Sequence, residues 1–192
     1  MHLQHVDHLT SAIKQLDEEV ERLMAPFGEQ VRRLCTIPGV GRRSAEIILA
    51  EIGVDMGRFP TAAHLASWAG MCPGQHESAG KQRSGRARKG NSALRSVLCE
   101  VAWAATHTKG TYLNAQFRRL CRRFGKGGSS KAVFALGHTI LVIVWHLLQR
   151  RTDYEELGAD YFAQRHETDA YRQRLVRQLE KLGHRVTLEP AA

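Results

Sequence analysis

Leu34-Cys-Thr-Ile-Pro-Gly-Val-Gly-Arg-Arg-Ser-Ala-Glu-Ile-Ile48 decides the architecture of this chain. Apolar Leu34 and Ile37 precede a Gly39-Val40-Gly41 turn, and Ala45 and Ile48 follow it at helical spacing. Glycines allow a tight turn and a close backbone approach. The pattern resembles a helix-hairpin-helix motif over residues 34–53, with Ala45 small enough for the two helices to touch. The second helix begins with free N–H groups and a positive dipole end, which suits a phosphate and reads no base. Arg42 and Arg43 stand in its first turn and oppose that dipole, a placement that suits an anion in front of them. Gly39, Gly41, Arg42 and Arg43 are therefore candidate phosphate-contacting residues.

Upstream, Leu9, Ile13, Leu16, Val20 and Leu23 recur at steps of four and three, with charged residues between them. The spacing predicts a coiled-coil-like amphipathic helix in residues 1–30, broken near Pro26 and Gly28. About three heptads suit either half of a short coiled coil, with self-association through residues 3–24, or packing on the chain's own domain.

Downstream, Thr61 is placed to cap a short helix ending at Trp68. A loop follows over residues 72–91, rich in glycine and arginine. From Lys81 to Arg95 it carries Lys81, Arg83, Arg86, Arg88, Lys89 and Arg95 with no acidic residue. Asn91 stands at the N-cap of the next helix and beside this cationic run. Ser78 lies at the front of the loop between Glu77 and Ala79-Gly80, and Ser84 is a second hydroxyl within it. A hydroxyl followed by dense cations suits a phosphodiester, because oxygen attacks phosphorus while guanidinium groups hold the charged oxygens. His76 is the nearest base in sequence. The alternative for Ser78 is an ordinary turn or capping serine.

Leu94, Leu98, Val101, Ala102 and Ala105 predict the buried stripe of a helix from Ser92 to about His107. A helix from about Tyr112 should turn Leu113, Phe117, Leu120 and Phe124 inward and Arg118, Arg119, Arg122 and Arg123 outward. Residues 125–130 read as a flexible linker, and 131–150 as the most apolar helix. That last segment is at the short end of what spans a bilayer and includes Gly137, His138, Thr139 and His146, so a central core helix is expected. Little strand signal is present, and the expected fold class is all-α, with a helical domain over 31–165 and a C-terminal helix and tail over 166–192.

The 192 residues carry a formal charge of +9, which points to a polyanionic partner, DNA or RNA first. Cys35, Cys72, Cys99 and Cys121 form no CxxC pair, which argues against a zinc site and for reduced thiols in a cytoplasmic protein. The N-terminus has no signal-peptide pattern.

Three features together resemble one family. They are the Ile37-Pro-Gly-Val-Gly turn, the Gly70-Met-Cys-Pro-Gly-Gln-His-Glu-Ser-Ala-Gly-Lys loop with Lys89-Gly-Asn-Ser-Ala-Leu-Arg after it, and the Leu157-Gly-Ala-Asp-Tyr-Phe tail with Leu182-Gly. Their order is similar to the C-terminal half of the DEDD-type insertion-sequence transposases of the IS-one-ten group, bacterial site-specific recombinases. The resemblance implies DNA transposition in a bacterial cytoplasm and a serine nucleophile, which falls on Ser78 with Ser84 as the fallback. It also implies a structured guide RNA as a partner. In that family a ribonuclease-H-like domain holds divalent metal, magnesium, through four carboxylates. Here the chain starts inside what resembles the linking coiled coil, so the metal-binding half is expected to lie outside it, and no cofactor is expected within it. The alternative expectation is a catalytically silent DNA- or RNA-binding remnant.

Overall fold

The computed structural model describes residues 2–74, 76–78, 81–84, 87, 89–164 and 169–188. The order of elements is α1 (His2–Met24), a 3-10 turn (Ala25–Phe27), α2 (Gly28–Leu34), α3 (Arg42–Ile52), a second 3-10 turn (Met56–Arg58) and α4 (Ala62–Trp68). Strands β1 (His76–Ser78) and β2 (Lys81–Ser84) follow, then α5 (Ser92–Thr106), α6 (Tyr112–Phe124), α7 (Ser129–Arg150), α8 (Tyr161–Gln164) and α9 (Asp169–Lys181).

The organising helix is α7. Its long apolar sequence meets the length and composition of a membrane span, yet the fold uses it as a core helix. Residues from Ala132 and Val133 through Leu148 are buried along its length, and α2, α4, α5 and α6 all pack against it. Gly137 allows the closest crossing: a Cβ there would lie 3.0 Å from Met71 Cε and 3.2 Å from the Leu98 carbonyl oxygen. The stripe expected on α5 is buried throughout: Leu94, Leu98, Val101, Ala102 and Ala105. At 22 residues α7 is about 33 Å long.

The caps follow the side-chain chemistry. Thr61, Asn91 and Thr111 each accept a bond from the backbone N–H three residues on, starting α4, α5 and α6. The segment after α7 is tied down rather than frayed. Asp153 meets Arg32 at 2.9 Å, Tyr154 N donates to Thr36 Oγ1 at 2.9 Å, and Glu156 accepts from the Tyr112 and Gly158 backbone amides. Tyr161 and Phe162 then close on Tyr112.

Several expectations are corrected. The fold is helical, but the loop expected over 72–91 contains a two-stranded antiparallel hairpin, pairing His76 with Ser84, Glu77 with Gln82 and Ser78 with Lys81. These strands hold none of the β-branched or aromatic residues that mark strands, so only pairing of their backbones reveals them. Residues 129 and 130 belong to α7 rather than to a linker, and Gly128 packs so closely on Phe124 that an added Cβ would fall 2.4 Å from its Cβ. Phe124, expected inward, ends α6 and is 39% exposed. The helix expected at the N-terminus is present as α1, continuous over His2–Met24, with Leu9, Ile13, Leu16 and Leu23 of its apolar stripe all exposed.

Candidate nucleic-acid interface

The turn between α2 and α3 is built from hydrogen bonds of Ile37 N to Leu34 O and Val40 N to Ile37 O, at 3.1 and 3.0 Å. Gly39 takes a φ of +88°, the left-handed region that glycine reaches without strain. Its open face is filled by α5: a Cβ would sit 2.6 Å from Ala105 N and 2.7 Å from Val101 O. The missing side chain at 39 thus serves contact between this turn and α5. Gly41 is the extended N-cap of α3 with open space around it.

The two arginines behind that turn face carboxylates. Arg42 bonds Glu46 at 2.9 Å and Glu21 at 3.1 Å, and Arg43 bonds Asp17 at 2.7 Å. Two of those three acids belong to α1, so the N-terminal helix neutralises the first turn of α3. Only the path of α1 in space reveals this pairing, because Asp17 and Arg43 stand 26 residues apart.

The hairpin brings Ser78 opposite Lys81 in backbone register, with Arg83 and Ser84 farther along β2 and His76 at the start of β1. Arg86 and Arg88 lie outside the described residues. Lys89 is exposed and Arg95 half-buried in the first turn of α5. Gly90, just before α5, passes close to the end of α4: a Cβ there would lie 2.4 Å from the Ala69 carbonyl oxygen. Asn91 is committed to structure. Its Oδ1 accepts from Leu94 N at 3.0 Å, and its Nδ2 donates to Glu51 on α3.

A second cationic face lies on α6. Lys109, Arg118, Arg119 and Arg122 line a groove of about 670 Å³ that Phe162 closes. Arg119 sits 4.9 Å from the centre of the Phe162 ring. None of these four cations meets a carboxylate within ion-pair distance among the described residues. The contrast with Arg22, Arg32, Arg33, Arg42 and Arg43, all paired, separates structural from available charge.

Among the described residues no group of three His, Cys, Asp or Glu side chains could hold a metal ion. The four thiols are free, and burial pushes the Cys99 thiol above its usual range.

Residues 31–122 match the transposase IS116/IS110/IS902 family. The matched span runs from α2 through most of α6, so it includes the glycine turn, the hairpin and most of the α6 cations. The chain is 31% identical over 151 residues to the transposase for insertion sequence element IS1111A of Coxiella burnetii, covering 74% of this chain and 39% of that protein. It is 29% identical over 153 residues to a probable family 20 transposase of Pseudomonas aeruginosa, covering 76% of this chain and 45% of that protein. It is 28% identical over 159 residues to the pilin gene-inverting protein of Moraxella bovis, covering 79% of this chain and 48% of that protein. The chain thus spans less than half the length of these curated relatives.

Proposed function

We propose that this chain is the serine-bearing part of a transposase that breaks and rejoins DNA, with Ser78 as the nucleophile. The observation that carries the reading is the hairpin within the family-matched span, which sets Ser78 in register with Lys81 at the head of a cationic strand. The relatives named as transposases and as a pilin gene-inverting protein support DNA rearrangement as the outcome. In the proposed step, the Ser78 hydroxyl oxygen bonds to phosphorus as one phosphodiester P–O bond breaks. The serine proton passes to the departing strand hydroxyl, with His76 as the base nearest in sequence. A hydroxyl end of another strand then displaces the serine and restores it. Lys81, Arg83, Arg86, Arg88, Lys89 and Arg95 hold the phosphate oxygens.

The glycine turn at the start of α3 is read as a helix-hairpin-helix contact to the DNA backbone, and α6 as a second phosphate path. Structured guide RNA is a proposed partner on the same cationic surfaces, and a second copy is the proposed partner of the α1 stripe. Divalent metal chemistry, by this reading, belongs to a carboxylate domain outside these residues. A second reading, a module that binds DNA or RNA without cutting it, is supported by the cations of α6, which meet no carboxylate among the described residues and need no chemistry to act.

The deciding experiment is incubation with suicide-nicked DNA, with the chain alone and within a full-length transposase of the family, followed by peptide mapping. A phosphoserine adduct at Ser78, lost in Ser78→Ala with DNA binding retained, is expected from the full-length protein. An adduct at Ser84, or full recombination by Ser78→Ala, removes Ser78 from the chemistry. Binding with no adduct in either protein leaves the silent module.

A further inference from the structure

A groove of about 810 Å³ lies between the end of α6, the start of α7 and the residues that flank the hairpin. Its walls are apolar and aromatic, from Met71, Phe124 and Phe134, and Arg123 and Lys131 stand at its rim. Pro73 and Ala87, which also line it, flank the hairpin in sequence, one before β1 and one after β2. Whatever fills this groove therefore sits beside the segment that carries Ser78.

The groove is built to keep an aromatic ring available. Phe124 is 39% exposed, a cost in water for a large apolar side chain. The chain after α6 turns back close against it, since a Cβ at Gly128 would fall 2.4 Å from the Phe124 Cβ. Arg123 and Lys131 meet no carboxylate among the described residues. The first turn of α7 has no side-chain cap, so its positive end adds to the charge of Lys131. Ser130 and His138 supply hydrogen-bonding groups of either sense.

An apolar ligand would leave the two cations unused. A duplex would offer phosphates alone, because its bases are stacked inside. An unpaired nucleotide offers both a flat π face and an anion, and aromatic platforms beside cations are how single strands are held. The volume lies within the roughly 300–1,000 Å³ of small-ligand sites.

We propose that this groove holds one unpaired nucleotide of a nucleic-acid strand, its base against Phe124 and Phe134 and its phosphate between Arg123 and Lys131. The inference rests on the nucleic-acid reading of the preceding section and narrows it: the strand beside the serine hairpin is locally unpaired.

The test uses the whole 192-residue chain in fluorescence anisotropy with single-stranded DNA of about 12 nucleotides, the matching duplex, and RNA of the same sequence. Phe124→Ala should weaken single-strand binding roughly tenfold and leave duplex binding and melting temperature unchanged, while Phe124→Tyr retains affinity. Arg123→Ala with Lys131→Ala should flatten the salt dependence of single-strand binding by about one to two in slope. The DNA and RNA arms show which strand is preferred. Photocrosslinking of the unaltered chain to an iodouracil-bearing strand should map to Phe124 or Phe134, and needs no variant to fold. Equal losses on single strand and duplex, or crosslinks confined to other segments, would overturn the groove assignment while the transposase reading stands. Absence of all nucleic-acid binding by the unaltered chain would overturn both.

Discussion

Arg43 Nη1 lies 2.7 Å from Asp17 Oδ1, so a cation that the sequence aims at an anion is already met by the N-terminal helix. Arg42 is held in the same way by Glu21 and Glu46. The Arg43–Asp17 and Arg42–Glu21 pairs are well exposed, and exposed pairs contribute about 0–1 kcal/mol each. They can therefore open at little cost when a phosphate competes.

This yields a test of whether α3 touches DNA. Asp17→Asn with Glu21→Gln should raise affinity for duplex DNA several-fold and steepen the logarithmic salt slope by about one to two. The melting temperature should barely change. An unaltered affinity would place the DNA path away from α3 and leave Arg42 and Arg43 with a purely intramolecular role.

Gly39 and Gly41 are two residues apart but should behave differently. Gly39→Ala sets a Cβ 2.6 Å from Ala105 N, against backbone that cannot swing away, at a φ of +88°. A loss on the order of 2–4 kcal/mol is expected in denaturant unfolding. Gly41→Ala meets open space and loses only a favourable cap, about 1 kcal/mol or less. Equal losses would mean that contact with α5 is not what requires glycine at 39.

The balance between what was legible and what was not follows from the range of each interaction. The α5 stripe from Leu94 to Ala105 and the Asn91 cap could be read directly, since helical period and capping are local. The core role of α7 followed from its length and its interrupted apolar run. The pairing of Arg43 with Asp17 was hidden because it depends on where α1 travels. The hairpin was hidden because polar residues form it, and its backbone register carries the information. The commitment of Asn91 to Glu51 was hidden too, since a capping residue and a DNA-contacting residue look alike in sequence. Of the candidate site, composition revealed the cations, while the division between paired arginines and the open α6 face required the fold.

Acid should loosen the segment after α7. The Asp153 carboxyl is held below its usual range, first by its hydrogen bond from Arg32 and then, against partial desolvation, by the charges of Arg32 and Arg33. A depressed folded-state value favours the charged form in the fold, so this contribution is present above the usual Asp value near 3.9 and is lost as pH falls through the lowered one. Melting curves collected at falling pH should therefore steepen below about pH 4 in the unaltered chain and less so in Asp153→Asn. Parallel acid limbs would show that this ion pair is screened to nothing.

The uncovered stripe of α1 leads to the last expectation. Ile13 is 59% and Leu16 66% exposed on a helix of 23 residues, and both belong to a row repeating at heptad spacing. An isolated helix of this kind is stabilised mainly when its apolar face packs on something, and a second copy presents an identical face. Sedimentation at rising concentration should show reversible dimers, and Ile13→Glu with Leu16→Glu should give monomers whose helical domain melts as before, because these side chains lie outside the buried core. A chain that stays monomeric at high concentration would assign the stripe to a different protein surface.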